Sequence, residues 1–151
     1  MSQLQELIYL LSDSAADFEI IQHPKPILKT GDAGEYFDIL KAAPVFIVNT
    51  DNGFYSLIVS GKRGKIDIKK LGNQLGFKKI GFADKNDVLQ QTGYEIGSIP
   101  LIGHNLPCYI DERILRLDYI YGGTGNPYFT LKIKVQDFIS LNKIVSVIDI
   151  P

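Results

Sequence analysis

The sequence is poor in the residues that cross-link small proteins or hold metals in them. It contains one cysteine, Cys108, so no disulfide can form within the chain and a disulfide-stapled secreted scaffold is not expected. The two histidines, His23 and His104, stand far apart, and neither His-x-x-x-His nor Cys-x-x-Cys spacing occurs. The sequence therefore predicts no metal site, because metal ligands usually come in such pairs.

Long apolar runs are also missing. The longest, residues 42–48, has the length of a strand and contains Pro44, whereas a membrane-spanning helix needs about 20 apolar residues. The apolar cluster at residues 7–11 lacks the basic start of a signal peptide and fits one face of a helix. We expect a cytoplasmic protein with no membrane partner.

What is present suits one domain, residues 1–151, since 151 residues that are 45% apolar can build one core. Residues 45–49 and 54–60 are rich in β-branched and aromatic side chains and flank the turn at residues 51–53, which predicts a hairpin. Strand-like runs outnumber helical ones. The expected fold is α/β (α+β), with a mixed, largely antiparallel sheet flanked by helices.

Two helices can be bounded from their ends. Asp67 and Asp84 stand where a side chain can cap a helix, and Gly76 and Gly93 stand where a left-handed residue can end one. After the second helix the sequence changes character. Residues 93–107 contain three glycines and two prolines and predict a long loop, which is uncommon in a compact domain unless it is functional.

Charge is unevenly distributed. The net charge is −1, yet residues 62–85 hold eight basic and two acidic residues. Such a cluster is typical of a surface that binds phosphates. A solvated lysine face explains the same pattern equally well.

Nucleophile and nucleotide motifs give little support for other chemistry. Cys108 and His104 could form a nucleophile pair, but Pro107 prevents them from sharing a helical face, and a buried, inert cysteine is the favoured interpretation. No phosphate-binding P-loop occurs, and residues 122–125 lack the spacing of a dinucleotide fingerprint. Lys41 stands at the mouth of a core strand, where it either extends to water or meets an anion.

Four segments, in this order, carry a resemblance to a known family: Ile39-Leu40-Lys41 before the hairpin, TGYEIGSIPLIGH at residues 92–104, Tyr109-Ile110-Asp111 and Tyr121-Gly122-Gly123. Together they resemble the YbaK / prolyl-tRNA synthetase-associated editing family over about residues 18–142. The resemblance implies a compact α/β domain around a mixed β-barrel. It also implies an activity, hydrolysis of the ester in a mischarged aminoacyl-tRNA, that needs no cofactor.

The resemblance also implies roles for single residues. Lys41 corresponds to a lysine that binds the 3'-terminal region of the tRNA, and the backbone of Gly97 and Ser98 would hold the ester or the attacking water. The remaining candidates would contact the substrate or let a turn approach it: His23, Ile99, Pro100, Gly103, His104, Asp111, Gly122 and Gly123. Gly122 and Gly123 begin a predicted turn. The basic cluster, apart from the resemblance, gives the candidate tRNA contacts Lys62, Arg63 and Lys65.

Simpler interpretations of three of these residues stay open. His104 could be a hydrogen-bonded loop histidine, Asp111 could cap the short segment that follows it, and His23 could be only a turn residue beside prolines. Two departures from the family pattern also stand in the sequence: residues 42–44 are Ala-Ala-Pro, and residues 126–129 contain no histidine. They leave the identity of the amino acid open.

The leading hypothesis is a trans-acting deacylase that removes a small amino acid such as Ala, Cys or Ser, with tRNA-Pro as a candidate carrier. Its partners would be the tRNA acceptor end and prolyl-tRNA synthetase, not DNA. The alternatives are a non-catalytic module that binds tRNA or a synthetase, and an esterase that acts on small molecules.

Overall fold

The computed structural model describes residues 2–62 and 64–151, which form helices packed on two sheets. The α-helices are α1 Gln3–Asp13, α2 Ile68–Leu75, α3 Lys85–Thr92 and α4 Val135–Ser140. Short 3₁₀ helices span Thr30–Glu35, Ile39–Lys41 and Glu112–Arg116. The strands are β1 Phe18–Gln22, β2 Val45–Thr50, β3 Gly53–Ile58, β4 Ile80–Phe82, β5 Cys108–Asp111, β6 Tyr119–Gly123, β7 Phe129–Lys134 and β8 Ile144–Ile148.

The helix ends follow from local capping. Asp67 and Asp84 accept hydrogen bonds at 3.1 and 2.8 Å from backbone N–H groups three residues further on. Gly76 and Gly93 end α2 and α3 in the left-handed conformation, both with φ of 77°. The two predicted helices are therefore confirmed, because caps act over a few residues and can be identified without the rest of the fold.

The strands pair as two sheets. One is antiparallel, in the order β1-β7-β6, and the other is mixed, in the order β4-β2-β3-β5-β8. The predicted β2–β3 hairpin is confirmed, with Val45 opposite Ile58, while β5 pairs in parallel with β3 and β8. The mixed, helix-flanked fold is thus confirmed. In residues 2–62 and 64–151 no strand pairing closes a barrel, and an isolated bridge between Ala42 and Tyr121 links the two sheets instead.

One predicted turn begins too early. Gly122 and Gly123 lie within β6, opposite Leu131 and Thr130 of β7, and the chain turns only after them. Glycine normally weakens a strand, and here two glycines are retained because the neighbouring loop packs directly on them, as described below.

The main core lies between the sheets, α1 and α4. Leu11, Ile58, Ile110, Leu131 and Phe138 are all fully buried there. Each such side chain contributes about 1.5–3 kcal/mol relative to an exposed one, so this cluster is the principal stabilising element. None of the helices in the described residues has the length and apolarity of a membrane span.

Candidate active site

A pocket of about 420 Å³ opens beside the glycine-rich loop, between the two sheets. Its lining comes from five separate stretches of chain: Ile27, Leu28, Lys29, Ala33 and Phe37; Ala42, Ala43, Pro44, Val45, Phe46 and Ile47; Phe82, Ala83 and Val88; Ile96, Gly97, Ser98 and Ile99; and Tyr121, Gly122, Gly123, Thr124, Asn126, Pro127, Phe129 and Thr130. The volume lies within the range of about 300–1,000 Å³ that is typical of small-molecule sites.

The pocket wall is mostly apolar. Among the described residues, its lining includes no histidine, cysteine or carboxylate, and its one cationic residue is the exposed Lys29. A site of this composition can select a substrate by shape, and any charge that develops in it must be stabilised by backbone groups or by groups at its rim.

The glycine loop is held against the segment before the first 3₁₀ helix. Gly97 has φ of +91°, and a Cβ built on it would lie 2.7 Å from the carbonyl oxygen of Leu28. Both the left-handed conformation and the close contact exclude a side chain at this position. Gly97 therefore brings the loop backbone to the pocket wall.

The two glycines of β6 provide the opposite support. A Cβ on Gly122 would collide with the Leu101 side chain, and one on Gly123 would collide with the carbonyl of Ile99. The Leu101 N–H donates to the Gly123 carbonyl at 3.1 Å. The loop thus lies directly on β6, and this contact explains why glycines stand in the strand.

Within the loop, Ser98 is already occupied. Its backbone N–H donates to the Glu95 carbonyl at 3.1 Å, and its Oγ donates to the same oxygen at 3.2 Å. The backbone N–H groups of Gly97 and Ile99 form no hydrogen bond with any residue that the structure describes. These loop donors are therefore not used by a protein acceptor among the described residues.

Lys41 lies next to the pocket and outside its lining. It ends the 3₁₀ helix Ile39–Lys41, and its ammonium donates to the Tyr119 hydroxyl at 3.1 Å, 4.3 Å from the centre of that ring. This hydrogen bond raises the pKa of Lys41 and lowers the pKa of Tyr119. Its neighbour Ala42 does line the pocket, so the lysine stands at the edge of the site.

The model of the aminoacyl-tRNA editing domain family matches residues 34–141, which include the 3₁₀ helix at Lys41, the glycine loop and both glycines of β6. The chain belongs to this family.

Two curated proteins are similar to parts of this editing domain. The chain is 36% identical over 72 residues to Uncharacterized protein YwhH of Bacillus subtilis, an alignment that covers 46% of this chain and 45% of that protein. It is 24% identical over 102 residues to a proline–tRNA ligase of Caldicellulosiruptor saccharolyticus, covering 67% of this chain and 18% of the ligase. The chain thus spans less than half the length of these curated relatives.

A solved structure shows the same fold. The crystal structure of a candidate trans-editing enzyme for prolyl tRNA synthetase superposes with a TM-score of 0.84 at 21% identity, over 99% of this chain and 97% of that one.

The other end of the editing domain's glycine loop forms a buried polar cluster of Ser56, His104 and Cys108. The Leu106 N–H donates to His104 Nδ1 at 3.1 Å, so the ring proton resides on Nε2, which lies 3.3 Å from Ser56 Oγ. Ser56 Oγ then donates to Cys108 Sγ at 3.0 Å, and the thiol donates to the Leu106 carbonyl at 3.3 Å. Together these four hydrogen bonds form a closed cycle that passes through the backbone of Leu106.

Burial determines the protonation states of this cluster. It lowers the pKa of His104 to about 4 and raises the pKa of the Cys108 thiol, so both groups are neutral at pH 7. Cys108 is fully buried and is not a pocket residue, as favoured from the sequence. His104 does not line the pocket either, and the structure gives it the hydrogen-bonded loop position that was the simpler interpretation.

His23 is buried behind the pocket wall. Its Nε2 lies 3.2 Å from the hydroxyl of Thr130, a lining residue, and its Nδ1 lies 2.6 Å from the Lys25 carbonyl. Its ring stacks on Tyr36 with centroids 4.8 Å apart. His23 therefore contacts a pocket residue without lining the pocket itself.

Asp111 is fully buried beside Ser60. It accepts the Ser60 N–H at 3.0 Å and the Arg113 N–H at 3.2 Å, and it pairs with the Arg113 guanidinium at 3.0 Å. It thus caps the 3₁₀ helix that follows it and fixes the backbone at Ser60, two residues before Lys62. These contacts stabilise the fold and do not involve the pocket.

The remaining candidates are divided. Ile99, Gly122 and Gly123 line the pocket together with Gly97 and Ser98, whereas Pro100 and Gly103 belong to the loop and do not line it. Lys62 and Lys65 are exposed, and Arg63 lies outside the described residues. The Gly61 N–H donates to the Ala42 carbonyl at 2.8 Å, so the chain immediately before Lys62 lies beside the pocket wall.

Sequence reasoning missed the rim of the pocket. Leu28, Phe46 and Phe82 line the mouth and are exposed by 60%, 38% and 51%, and Phe46 packs on Phe82 at 5.9 Å between centroids. Phe46 and Phe82 belong to neighbouring strands, where Phe82 lies opposite Val48, two residues from Phe46, and no short motif reveals this contact. Leu28 and Lys29 follow an extended proline segment, and that segment was the one signal that could have attracted attention to them.

Proposed function

We propose that the domain is a trans-acting aminoacyl-tRNA deacylase of the cytoplasm, built from residues 1–151 as one unit. It hydrolyses the ester between a wrong, small amino acid such as Ala, Cys or Ser and the 3' end of a tRNA. The observation that carries the proposal is an apolar pocket of about 420 Å³, one wall of which is formed by residues 97–99. The Gly97 and Ile99 N–H groups in this wall donate to no described residue.

The chemistry requires little beyond positioning. Water attacks the ester carbon, a tetrahedral oxyanion forms, and the C–O bond to the ribose breaks to release the amino acid and the tRNA hydroxyl. Backbone N–H groups directed at the oxyanion contribute about 3 kcal/mol, and in this proposal the Gly97 and Ile99 N–H groups take that role. An aminoacyl ester is already reactive, so correct orientation of water and ester supplies much of the remaining acceleration.

Specificity in this proposal is steric. The lining offers Val45, Ile47, Ala83, Val88 and Ile99 to the amino-acid side chain, and an apolar wall distinguishes one methylene by about 1–3 kcal/mol. Such a difference explains why synthetases leave errors for a second site to remove. A side chain that fills the pocket without collision is the one hydrolysed.

Lys41 and Ser98 act indirectly. Ser98 holds the loop through its two bonds to the Glu95 carbonyl, and Lys41 binds the 3'-terminal phosphates from the edge of the site. The tRNA carrier is tRNA-Pro and the partner enzyme is prolyl-tRNA synthetase. A proline–tRNA ligase among the relatives and the editing enzyme among the solved structures support both choices.

A second candidate function is a non-catalytic module that binds tRNA ends or a synthetase. The placement of Lys41 favours it, because its ammonium contacts Tyr119 rather than the pocket. The same pocket would then hold the aminoacyl end without hydrolysing it.

The deciding experiment is deacylation of Ala-, Cys- and Ser-tRNA-Pro by the wild type, by Lys41→Ala and by the exposed-lysine control Lys143→Ala. We expect one of the three to be released, with a lower rate for Lys41→Ala and an unchanged rate for the control. Bound tRNA without release of any amino acid would replace the deacylase with the binding module. Equal hydrolysis of a small ester that lacks the tRNA body, insensitive to salt, would indicate a general esterase.

A further inference from the structure

The solvent-facing side of the β1-β7-β6 sheet carries a group of aromatic and basic side chains next to the pocket. We call it the tyrosine surface: Tyr119, Tyr121, Lys132 and the adjoining Lys41. Side chains alternate across a strand, and Ile120, Leu131 and Ile133 occupy the opposite, fully buried face of β6 and β7. Tyr121 and Lys132 are register partners. All four residues of the surface are partly exposed.

Two ammonium groups converge on one ring in this surface. Lys41 Nζ and Lys132 Nζ lie 4.3 and 4.2 Å from the centre of the Tyr119 ring. Tyr119 in turn meets Tyr121 edge-on, with centroids 5.6 Å apart. Contacts of exposed lysines with aromatic rings are weak, so a stronger ligand can displace them and use the freed charge.

The two lysines have no carboxylate partner in the part of the chain that the structure describes. Neither ammonium lies within 4 Å of an acidic side chain of the described residues. Asp38 is near Lys41, but its carboxylate accepts the Leu40 N–H at 3.0 Å. Glu19 is the register partner of Lys132 on β1 and forms no ion pair with it. The positive charge of this surface is therefore available to an anion.

The surface leads directly into the pocket. Phe37 stacks on Tyr121 with centroids 4.4 Å apart, and both rings line the pocket. Ala42, which follows Lys41, lines the pocket as well and is bridged to Tyr121. A chain lying across Tyr119 would therefore reach the site in which its end is held.

We infer that the tyrosine surface binds the unpaired 3' nucleotides of the RNA, with bases stacked on Tyr119 and phosphates paired with Lys41 and Lys132. This inference rests on the proposed function, since it supplies the path by which the ester reaches the pocket. Single-stranded nucleic acids are bound by this combination of aromatic faces and free cations, which tolerates any base sequence.

The surroundings give the path a direction. A second groove, of about 300 Å³, is lined by Tyr119 and Lys132 together with Asp17, Glu19, Asp118 and Lys134. Its three carboxylates outnumber its two ammonium groups, so its net charge repels phosphates. The RNA backbone therefore approaches from the Lys41 side and does not continue past Tyr119 toward β1.

The test is equilibrium binding of a short single-stranded RNA that ends in CCA and carries no amino acid, measured over a range of salt concentrations. Lys132→Gln should reduce the slope of log affinity against log salt by about 0.7, the value for one phosphate contact of a single strand. Tyr119→Leu should weaken binding about tenfold at every salt concentration with the slope unchanged, because stacking carries no charge. Tyr119→Phe, which keeps the ring, should bind like the wild type.

Lys143→Gln removes the same charge from another exposed site and should leave the slope unchanged. Wild-type slope in Lys132→Gln together with wild-type affinity in Tyr119→Leu would overturn the inference. An equal slope change in Lys70→Gln of α2 would also overturn it, since the RNA would then lie on the basic helix.

The probe has no ester, so the outcome does not depend on catalysis. Deacylation by the wild type with unaltered RNA binding in both variants would refute RNA binding by the tyrosine surface and support the deacylase. The predicted changes in binding without any deacylation would support RNA binding by this surface and refute the deacylase.

Discussion

The two ends of the glycine-rich loop have opposite chemistry. The Gly97–Ile99 end is open, apolar and equipped with unpaired backbone donors, whereas the end at His104 is closed and holds a serine, a histidine and a cysteine in mutual contact. Residue types alone would place catalysis at the second end. The proposed function places it at the first, because no substrate reaches a cluster whose members are 0–2% exposed.

The closed end has a mechanical task. Each buried donor in the Ser56, His104 and Cys108 ring has an acceptor, and a satisfied polar network fixes one arrangement of the chain. By holding residues 104–108 against β3, the cluster keeps the rest of the loop in place over the pocket. The comparison can be tested at both ends.

The largest effect is expected at the open end. Gly97→Ala should lower kcat/KM for deacylation about 100-fold, because the added Cβ lies 2.7 Å from the Leu28 carbonyl oxygen and would displace the N–H that the proposed mechanism directs at the oxyanion. Gly103→Ala is a matched control, since Gly103 has a similar φ of +96° and open space around its Cβ. Equal losses in both variants would show that backbone strain alone, not the site, is responsible.

The closed end should be sensitive to pH. His104 has a pKa of about 4 in the folded chain against 6.5 when unfolded, so its stabilisation is complete above pH 6.5 and is lost as the pH falls toward 4. At pH 5 the loss is about 2 kcal/mol in the free energy of unfolding. Urea unfolding at pH 7 and pH 5 should show this loss in the wild type relative to His104→Gln. A constant difference between the two proteins would mean that the buried ring is not kept neutral.

Ser56→Ala should separate stability from activity. It leaves the His104 Nε2–H with only the weak acceptor Cys108 Sγ at 3.6 Å, at a cost of about 1.5 kcal/mol in the free energy of unfolding. Deacylation at 25 °C should continue at the wild-type rate. The exposed Ser12→Ala serves as the control, with a change within about 0.5 kcal/mol. Loss of activity in folded Ser56→Ala would make the cluster part of the catalytic machinery after all.

The smallest effect is expected at the rim. Lys29→Gln removes the cation from the pocket lining and should lower kcat/KM about threefold at low salt, the scale of one exposed ion pair. The difference should vanish at high salt. Lys25→Gln, an exposed lysine of the same segment that does not line the pocket, should have no effect. A salt-independent loss would point to packing by the lysine stem instead.

Much of the fold could be predicted because its signals are local. The caps Asp67 and Asp84, the glycine helix ends and the β2–β3 hairpin each depend on a few neighbouring residues, and all are confirmed. The glycines of β6 misled the prediction. Their role is set by contact with the Ile99 carbonyl and the Leu101 side chain, more than twenty positions away in the chain.

The candidate site could be predicted only in part. The sequence by itself determined the order of the elements, the uncharged loop at residues 97–103 and the resemblance to the editing family, since these are properties of contiguous segments. Only the tertiary structure decided that Lys41 meets Tyr119 at the pocket's edge and that His104 is buried with Ser56 and Cys108. It also brought five separate stretches of chain together as one pocket. The physical reason is that burial and side-chain direction depend on contacts between residues far apart in the chain, which local patterns do not encode.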